Sequence, residues 1–471
     1  MAMEYQQKLE AIMEHIQETG LWTNTFSDVI IGSYKTLPAD AGNHISIDLP
    51  EEQHYNTIPL FTMLTALQRP HGSMLIQGAP GIGKTTIAEY ISHFIFDIPT
   101  DHIYDSTIYC HPELTQEQMI ARLCTASLLK EGVEKIIERS FIPCPIHMLD
   151  EINRLPPDKT SIFYQAVDRG FVKYMDHRLI LEPGPIFGTA NYNDGGNFDM
   201  TPPFLDRFEV SVGVPSPNAI DLEFITDADD EDVKRLIVKD EFKLTKKDRD
   251  NIWEQMKAMK FSKEARNYIH YFASQVNFCM RAASPKYSPC APAFMNKGSC
   301  ETQKPDRICH DCHYHNDSSV CNKTENELSV RGVKAIYKYS KALGWFLGQD
   351  EVTIETVKNV LPYVARHRLK ATPSADNQCT TTAKLPKTAL VNMLIEKAED
   401  SFNRATPIFE SYGSIINAFE KVEKGEMKPA ELKKVEEHGQ EEISQHDDPV
   451  KFALACWMQR LHHYIKSKYK I

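Results

Sequence analysis

Gly78-Ala79-Pro80-Gly81-Ile82-Gly83-Lys84-Thr85 places three glycines, an ammonium group and a hydroxyl within one short loop, a combination suited to enclosing nucleotide phosphates. Glycines let successive backbone N–H groups turn toward phosphate oxygens. Lys84 has the reach for the β- and γ-phosphates, Thr85 offers Mg2+ a hard oxygen, and Thr86 opens the helix whose N-terminus completes the cradle. Downstream, Ile146-His147-Met148-Leu149-Asp150-Glu151 is an apolar run ending in two carboxylates. In phosphoryl transfer such a pair divides the work: Asp150 holds Mg2+ through water and Glu151 orients and deprotonates the attacking water. A third run, Pro185-Ile186-Phe187-Gly188-Thr189-Ala190-Asn191, ends in an amide able to hydrogen-bond the γ-phosphate or that water. A fourth segment, Phe204-Leu205-Asp206-Arg207-Phe208, carries a guanidinium at a loop-to-strand junction, from which it can reach the γ-phosphate of a neighbouring subunit.

These groups meet only if strands deliver them to one edge. Ser73 to Gln77 has the length and apolar character of a buried strand, and Thr86 to Phe96 carries apolar residues at helical spacing, so the order is strand, glycine loop, helix. The expected fold is α/β: a P-loop core around a parallel five-stranded sheet, followed by an α-helical lid and a C-terminal helical domain. A chain of 471 residues is long enough for two or three buried cores. The boundaries expected are 1–215 for the core with a helical N-terminal extension, 216–370 for the lid, 371–386 for a Thr/Ser-rich linker and 387–471 for the tail. The net charge of −12 weighs against tight, non-specific binding to a nucleic-acid backbone, while a local basic patch stays open. No apolar stretch approaches bilayer-spanning length and the polar N-terminus lacks the plan of a signal peptide, so a cytoplasmic protein is expected.

The four motifs in this order resemble the MoxR family of AAA+ ATPases, and the likeness extends from about Asp28 to about Arg368. Leu149-Asp150-Glu151-Ile152-Asn153-Arg154, Gly188-Thr189-Ala190-Asn191 and Leu205-Asp206-Arg207-Phe208 carry it beside the phosphate loop. Leu328-Ser329-Val330-Arg331-Gly332 and the segment ending in Arg366-His367-Arg368-Leu369 resemble that family's lid. The resemblance implies ATP as the nucleotide, Asn191 as sensor 1, Arg207 as an arginine finger acting in trans and Arg331 as the sensor-2 arginine. It also implies contact of Phe26 to Gly32 with the adenine, a hairpin over Gly170 to Leu181, and a homo-oligomeric ring, typically a hexamer, that remodels, activates or aids metal loading of a client protein. A separate von Willebrand A domain partner is implied as well, because the Asp-x-Ser-x-Ser motif of such a domain is missing from this chain. The chain departs from the family pattern at Tyr192, where proline usually follows the sensor asparagine, and at Thr201-Pro202-Pro203-Phe204. McrB-like motors linked to nucleic acid share the broad pattern, and base preference is not readable from the residues. A nucleotide-gated metal or redox sensor is a third reading.

Eleven cysteines are unevenly distributed, with Cys290, Cys300, Cys309, Cys312 and Cys321 inside an expected lid insertion over 280–327. A long irregular insertion needs its own stabiliser, and the two-residue gap in Cys309-His310-Asp311-Cys312 lets both thiolates face one ion. Cys300 and Cys321 flank that pair, so four thiolates can close a tetrahedral Zn2+ site or hold a [4Fe-4S] cluster, with Cys290, His310, His313 and His315 as spare ligands and plain free thiols as the third reading. Cys110, Cys124, Cys144, Cys279, Cys379 and Cys456 read as small apolar residues. His111 to Arg139 is expected to be helical, and the family resemblance implies substrate-facing or pore-facing elements there. Thr388 to Phe402 and Pro449 to Tyr469 have helical spacing, with a charged helical stretch over Glu420 to Gln445 between them.

Overall fold

The computed structural model describes residues 2–24, 29–31, 36–37, 54–192, 196–227, 240, 242–277, 319–382 and 386–423, with single positions at 431, 434, 437 and 441. The chain divides into two compact units, Met1–Ser262 with Val330–Arg368, and Lys263–Ser329 with Leu369–Ile471.

The first unit opens with α1 (Ala2–Glu18) and a small antiparallel sheet of β1 (Val29–Ile31), β2 (Thr36–Leu37) and β3 (His54–Asn56). The Asn56 side chain accepts from the Ile58 N–H and starts α2 (Thr57–Ala66), every residue of which is buried. Next come β4 (Ser73–Gly78), α3 (Lys84–Phe96), α4 (Thr100–Ser106) and β5 (Ile108–Tyr109). An excursion follows: α5 (Gln116–Met119), β6 (Ala121–Leu123), α6 (Thr125–Glu131) and β7 (Ile136–Glu138). The chain then returns through β8 (His147–Asp150), α7 (Pro157–Thr160), α8 (Phe163–Arg169), and the hairpin of β9 (Phe171–Tyr174) with β10 (His177–Ile180). Then β11 (Ile186–Asn191), α9 (Pro202–Leu205), β12 (Val210–Val214), α10 (Ala219–Asp227), α11 (Lys246–Ala258) and β13 (Lys260–Phe261) follow.

Five of these strands form the parallel sheet expected from the sequence, in the order β12-β4-β11-β8-β5. β4 and β11 lie inside it with every residue buried, which is why both read as nearly continuous apolar runs rather than as alternating ones. The register sets Gly78 beside both Asn191 and Val214, and Leu149 beside Gly188, so the carboxyl ends of the central strands finish along one edge. Parallel open sheets bind ligands at that edge. Leu75, Leu149, Phe163, Phe204 and Phe208 share one apolar core on the sheet. Gly188 lets Phe208 approach: a Cβ there would stand 3.1 Å from the Phe208 ring.

The expectation of a helical region from His111 to Arg139 is corrected. Only the short helices α5 and α6 form, and β6 and β7, which flank α6, pair antiparallel. Gly132 stops α6 in the left-handed conformation, and α6 buries none of its residues, so no long apolar face exists to support a continuous helix.

The chain leaves this unit at α12 (Lys263–Asn277) and returns with α13 (Val330–Phe346), β14 (Glu351–Val352), which pairs parallel with β13, and α14 (Ile354–Ala365). α13 packs on α2, α11 and α14, and α14 reaches β12, and both helices fall in the first compact unit.

In the second unit α12 packs on α16 (Pro386–Glu423), with Tyr268 and Tyr271 meeting Phe402 and Tyr271 also meeting Phe409. The stretch expected as a linker over 371–386 is largely α15 (Pro373–Thr382). Its signals are local ones: Thr372 Oγ1 accepts from the Ala375 N–H, Pro373 stands in the first turn, and Asp376 lies near the positive end of the helix. Pro449 to Tyr469 lies outside the described residues. Among the described residues no helix is long and apolar enough to cross a membrane.

Candidate active site at the carboxyl edge of the sheet

β4 ends on Gly78, and the loop that follows holds Gly81 at φ +75° and Gly83 at φ +78°, the left-handed region that glycine enters without steric cost. A Cβ on Gly81 would meet nothing within 4 Å, so the requirement there is conformational. At Gly83 it would stand 3.0 Å from the indole of the buried Trp22, and at Gly78 it would stand 2.4 Å from Ile82 Cδ1. Lys84 begins α3 and is buried; its Nζ donates to the carbonyl oxygens of Gly78 at 3.3 Å and Ala79 at 2.5 Å, and to Asn191 Oδ1 at 2.7 Å. Burial lowers the lysine pKa from its ordinary value, and the charges of Asp150 and Glu151 act in the opposite direction.

Asp150 closes β8. Its Oδ1 accepts from Thr85 Oγ1 and from Thr189 Oγ1, each at 2.6 Å, and Thr189 Oγ1 in turn accepts from the Glu151 N–H at 2.8 Å. Glu151 adopts φ 51° and ψ 46°, a left-handed conformation costing a non-glycine residue about 1 kcal/mol. The bend carries its carboxylate toward Asn191 rather than along the strand. Asn191 Nδ2 donates to Glu151 Oε1 at 2.6 Å, and Arg154 Nε lies 2.7 Å from Glu151 Oε2 as an ion pair. Because a lysine can only donate and a carboxylate can only accept, the orientation of the Asn191 amide between Lys84 and Glu151 is settled. Asn153 holds the asparagine backbone, donating to the Asn191 carbonyl at 2.9 Å and accepting from its N–H at 3.4 Å.

The residues present fit Mg2+: the Thr85 hydroxyl and the Asp150 carboxylate are hard oxygen donors in contact beside the phosphate loop, and this ion takes one or two such ligands together with phosphate oxygens and water.

The chain matches the model of the AAA domain, dynein-related subfamily, over residues 73–208, and the AAA lid domain over residues 317–388. It carries an AAA+ ATPase domain with its lid. Chaperone protein ClpB of Mycoplasma pneumoniae is 29% identical over 144 residues, 28% of this chain and 18% of the length of that relative. A crystal structure of a candidate ATPase from Cytophaga hutchinsonii superposes with a TM-score of 0.54 at 15% identity, over 83% of this chain and 95% of that one, and shares the fold.

A second constellation of the AAA+ domain gathers at Asp168, at the end of α8. Arg331 Nε and Nη2 fork onto its two carboxylate oxygens at 2.9 Å each, and Nη1 reaches Asp206 Oδ2 at 3.4 Å. Arg207 Nε lies 4.0 Å from Asp168 Oδ2, its guanidinium stacks 4.4 Å from the centre of the Tyr164 ring, and Nη1 donates to the Pro203 carbonyl. The structure thus brings together Lys84, Thr85, Asp150, Glu151 and Asn191 in one network, and Arg207 with Arg331 in another. Arg331, given a sensor-2 role by resemblance, shares its acid with the finger candidate.

The cysteine expectation falls almost wholly outside the described residues: Cys290, Cys300, Cys309 and Cys312 lie there with His310, His313 and His315, while Cys321 is described and half-buried. Among the described residues no group of three or more His, Cys, Asp or Glu is placed to hold a metal ion. Phe26 to Asp28 and Gly32 are also outside the described residues. Of the cysteines read as apolar, Cys110 is buried, and Cys124 and Cys144 are half-buried.

Sequence reasoning gave no role to Thr189, Asp168 or Trp22, whose contacts are distant in the chain, nor to Arg154, whose partner Glu151 is three residues away. It also passed over Glu89, one turn beyond the loop lysine on α3. Burial, and then the charge of Asp150, push the Glu89 carboxyl up to about 7 from an ordinary 4.5. The folded state therefore holds its proton through the interval in which the unfolded chain has lost it, and stability declines as pH rises from 4.5 through 7. Without nucleotide, Glu89→Gln is expected to match the parent at pH 4.5 and to exceed it at pH 8 by on the order of 3 kcal/mol. Urea unfolding at the two pH values measures this, and an equal difference at both would refute it.

Proposed function

We propose that the chain hydrolyses ATP as a MoxR-like AAA+ ring machine that changes the conformation or metal loading of a client protein, together with a separate von Willebrand A domain partner. The observation that carries the reading is the Lys84–Asn191–Glu151 chain of hydrogen bonds across the mouth of the phosphate loop. In this reading, the phosphate oxygens replace the carbonyls that Lys84 now contacts. Asn191 and Glu151 hold a water in line with the γ-phosphorus. As the water oxygen bonds to phosphorus, the bond to the β–γ bridging oxygen breaks, ADP leaves with the electron pair, and the water proton passes to the Glu151 carboxylate. Mg2+ held by Thr85 and Asp150 supplies charge neutralisation on the phosphates. Each site is completed by Arg207 from the next subunit, whose guanidinium is held here, among the described residues, by a 4.0 Å ion pair, a ring face and a carbonyl.

The test is hydrolysis per subunit as protein concentration rises, with ATP and GTP compared and Lys84→Ala as the blank. A cooperative rise with ATP is expected, together with at least a roughly hundredfold loss in Lys84→Ala, which lacks the cation that meets the transferred phosphate. Hydrolysis independent of concentration would remove the ring, and preference for GTP with stimulation by duplex nucleic acid would replace the remodeller with a nucleic-acid motor.

A further inference from the structure

We infer that Glu89 is a further residue of the Mg2+ site, a carboxylate that holds the water shell of the ion from behind Asp150. This rests on the ATP reading above and on the fit of Thr85 and Asp150 to Mg2+. Glu89 lies on α3 four residues beyond Thr85, so the two share one face of the helix. Helical side chains lean back toward the N-terminus, which directs the Glu89 carboxylate over the turn that carries Thr85. There Thr85 Oγ1 donates to Asp150 Oδ1 at 2.6 Å. Tyr104 of α4 and Tyr109 of β5 stand at the same corner: burial, and then the charge of Glu89, push both phenol hydroxyls up from their ordinary value. Tyr109 pairs in register with Asp150, so β5 and β8 enclose Glu89 together with α3.

Glu89 is only 7% exposed, and among the described residues no donor reaches its carboxylate. The charge that acts on it is that of Asp150, of like sign. The nearby ammonium is engaged elsewhere: Lys84 donates to Asn191 and to two carbonyls, and the carboxylates that act on it are Asp150 and Glu151. Enclosing a carboxylate without a partner is costly, and a second carboxylate beside it adds to the cost. Asp150 Oδ1 is occupied by the hydroxyls of Thr85 and Thr189, while among the described residues no donor reaches Oδ2. A divalent cation answers both acids at once. Mg2+ dehydrates reluctantly and keeps several of its waters, and each such water is a donor in need of an acceptor. Thr85 holds the turn nearest the phosphates, so Glu89, one turn on, meets the ion through bound water. The side chain that weakens the empty fold at pH 8 therefore tightens it when the ion is in place.

Calorimetric binding of a non-hydrolysable ATP analogue across a Mg2+ series, and with Mg2+ removed by a chelator, tests the assignment in the parent, Glu89→Gln and Glu89→Asp. The series is run at pH 8, above the value of about 7 to which the Glu89 carboxyl is pushed. Glu89→Gln is expected to need about tenfold or more Mg2+ for the same analogue affinity, the scale on which losing an outer partner weakens a metal site. Its metal-free affinity should stay within about threefold of the parent, because the carboxylate acts through the ion. Glu89→Asp keeps the charge but withdraws it by one methylene, and should fall between. Nucleotide-free melting temperatures accompany the series: the Gln variant should melt no lower than the parent, so a weakened metal response cannot come from a damaged fold. A purely structural carboxyl predicts a shifted melting temperature with Mg2+ series that superimpose on the parent's, and that result overturns the assignment, as does an equal loss with and without metal. If Glu89→Gln does not fold, the Mg2+ series of Glu89→Asp decides. Parent protein that binds no analogue overturns the ATP reading itself, and parent binding indifferent to Mg2+ overturns the metal site along with Glu89. Parent binding that responds to Mg2+, with the response unchanged in both variants, overturns only Glu89.

Discussion

Glu151→Gln is expected to bind ATP with affinity close to the parent and to hydrolyse it about 10²- to 10⁴-fold more slowly, the range associated with loss of a positioned general base. The substitution keeps the shape of the side chain and an oxygen able to accept from Asn191 Nδ2, the 2.6 Å bond that now fixes the carboxylate. It removes the capacity to take up a proton and the charge opposite Arg154. Loss in kcat with little change in nucleotide affinity is the signature of a group acting in the transition state. The measurement is single-turnover hydrolysis beside equilibrium binding, and a rate within about threefold of the parent would exclude Glu151 as the base.

Arg207→Ala should bind nucleotide normally and lose about 10³-fold or more in hydrolysis at every protein concentration, the scale of an arginine finger. Arg207 has no part in the Lys84–Asn191–Glu151 network of its own subunit; its partners are Asp168, Tyr164 and Pro203. A trans role gives a second, sharper outcome. Mixing inactive Arg207→Ala with inactive Glu151→Gln should restore activity at about a quarter of the interfaces, where an intact Glu151 meets an intact Arg207 from its neighbour by random pairing. No recovery on mixing, with both variants shown to assemble, would place the arginine's action elsewhere. Asp168 enters here as well: it holds both Arg207 and Arg331, so a finger that leaves for a neighbouring phosphate leaves Arg331 to keep the acid paired.

The phosphate loop was legible because its chemistry is local. Three glycines, a lysine and a hydroxyl within eight positions need only a preceding strand and a following helix, and both announce themselves by apolar pattern. Asp150 and Asn191 were legible for a related reason: each ends a strand buried on both faces, and such strands stand out as apolar runs that stop at a polar residue. The stretch from His111 to Arg139 was misread as helix because apolar spacing over a few residues does not separate a short helix from a short strand pair. The expected linker formed α15 because capping by Thr372 and Pro373 is independent of apolar periodicity, which that stretch lacks.

From the sequence alone came the fold class, the AAA+ resemblance, the nucleotide-binding loop and the two carboxylates, all properties that depend on residues near one another in the chain or on a strand-length pattern. Only the tertiary structure decided how the polar groups are joined. The bridging of Lys84 to Glu151 by Asn191, the joint hold of Asp168 on Arg207 and Arg331, the raised Glu89 and the approach of Arg366 to Gly213 each join segments separated by tens to hundreds of residues. The physical reason is that charge, burial and hydrogen-bond partnership are set by distance in space, and residue type restricts what a side chain can donate or accept without specifying what it will meet.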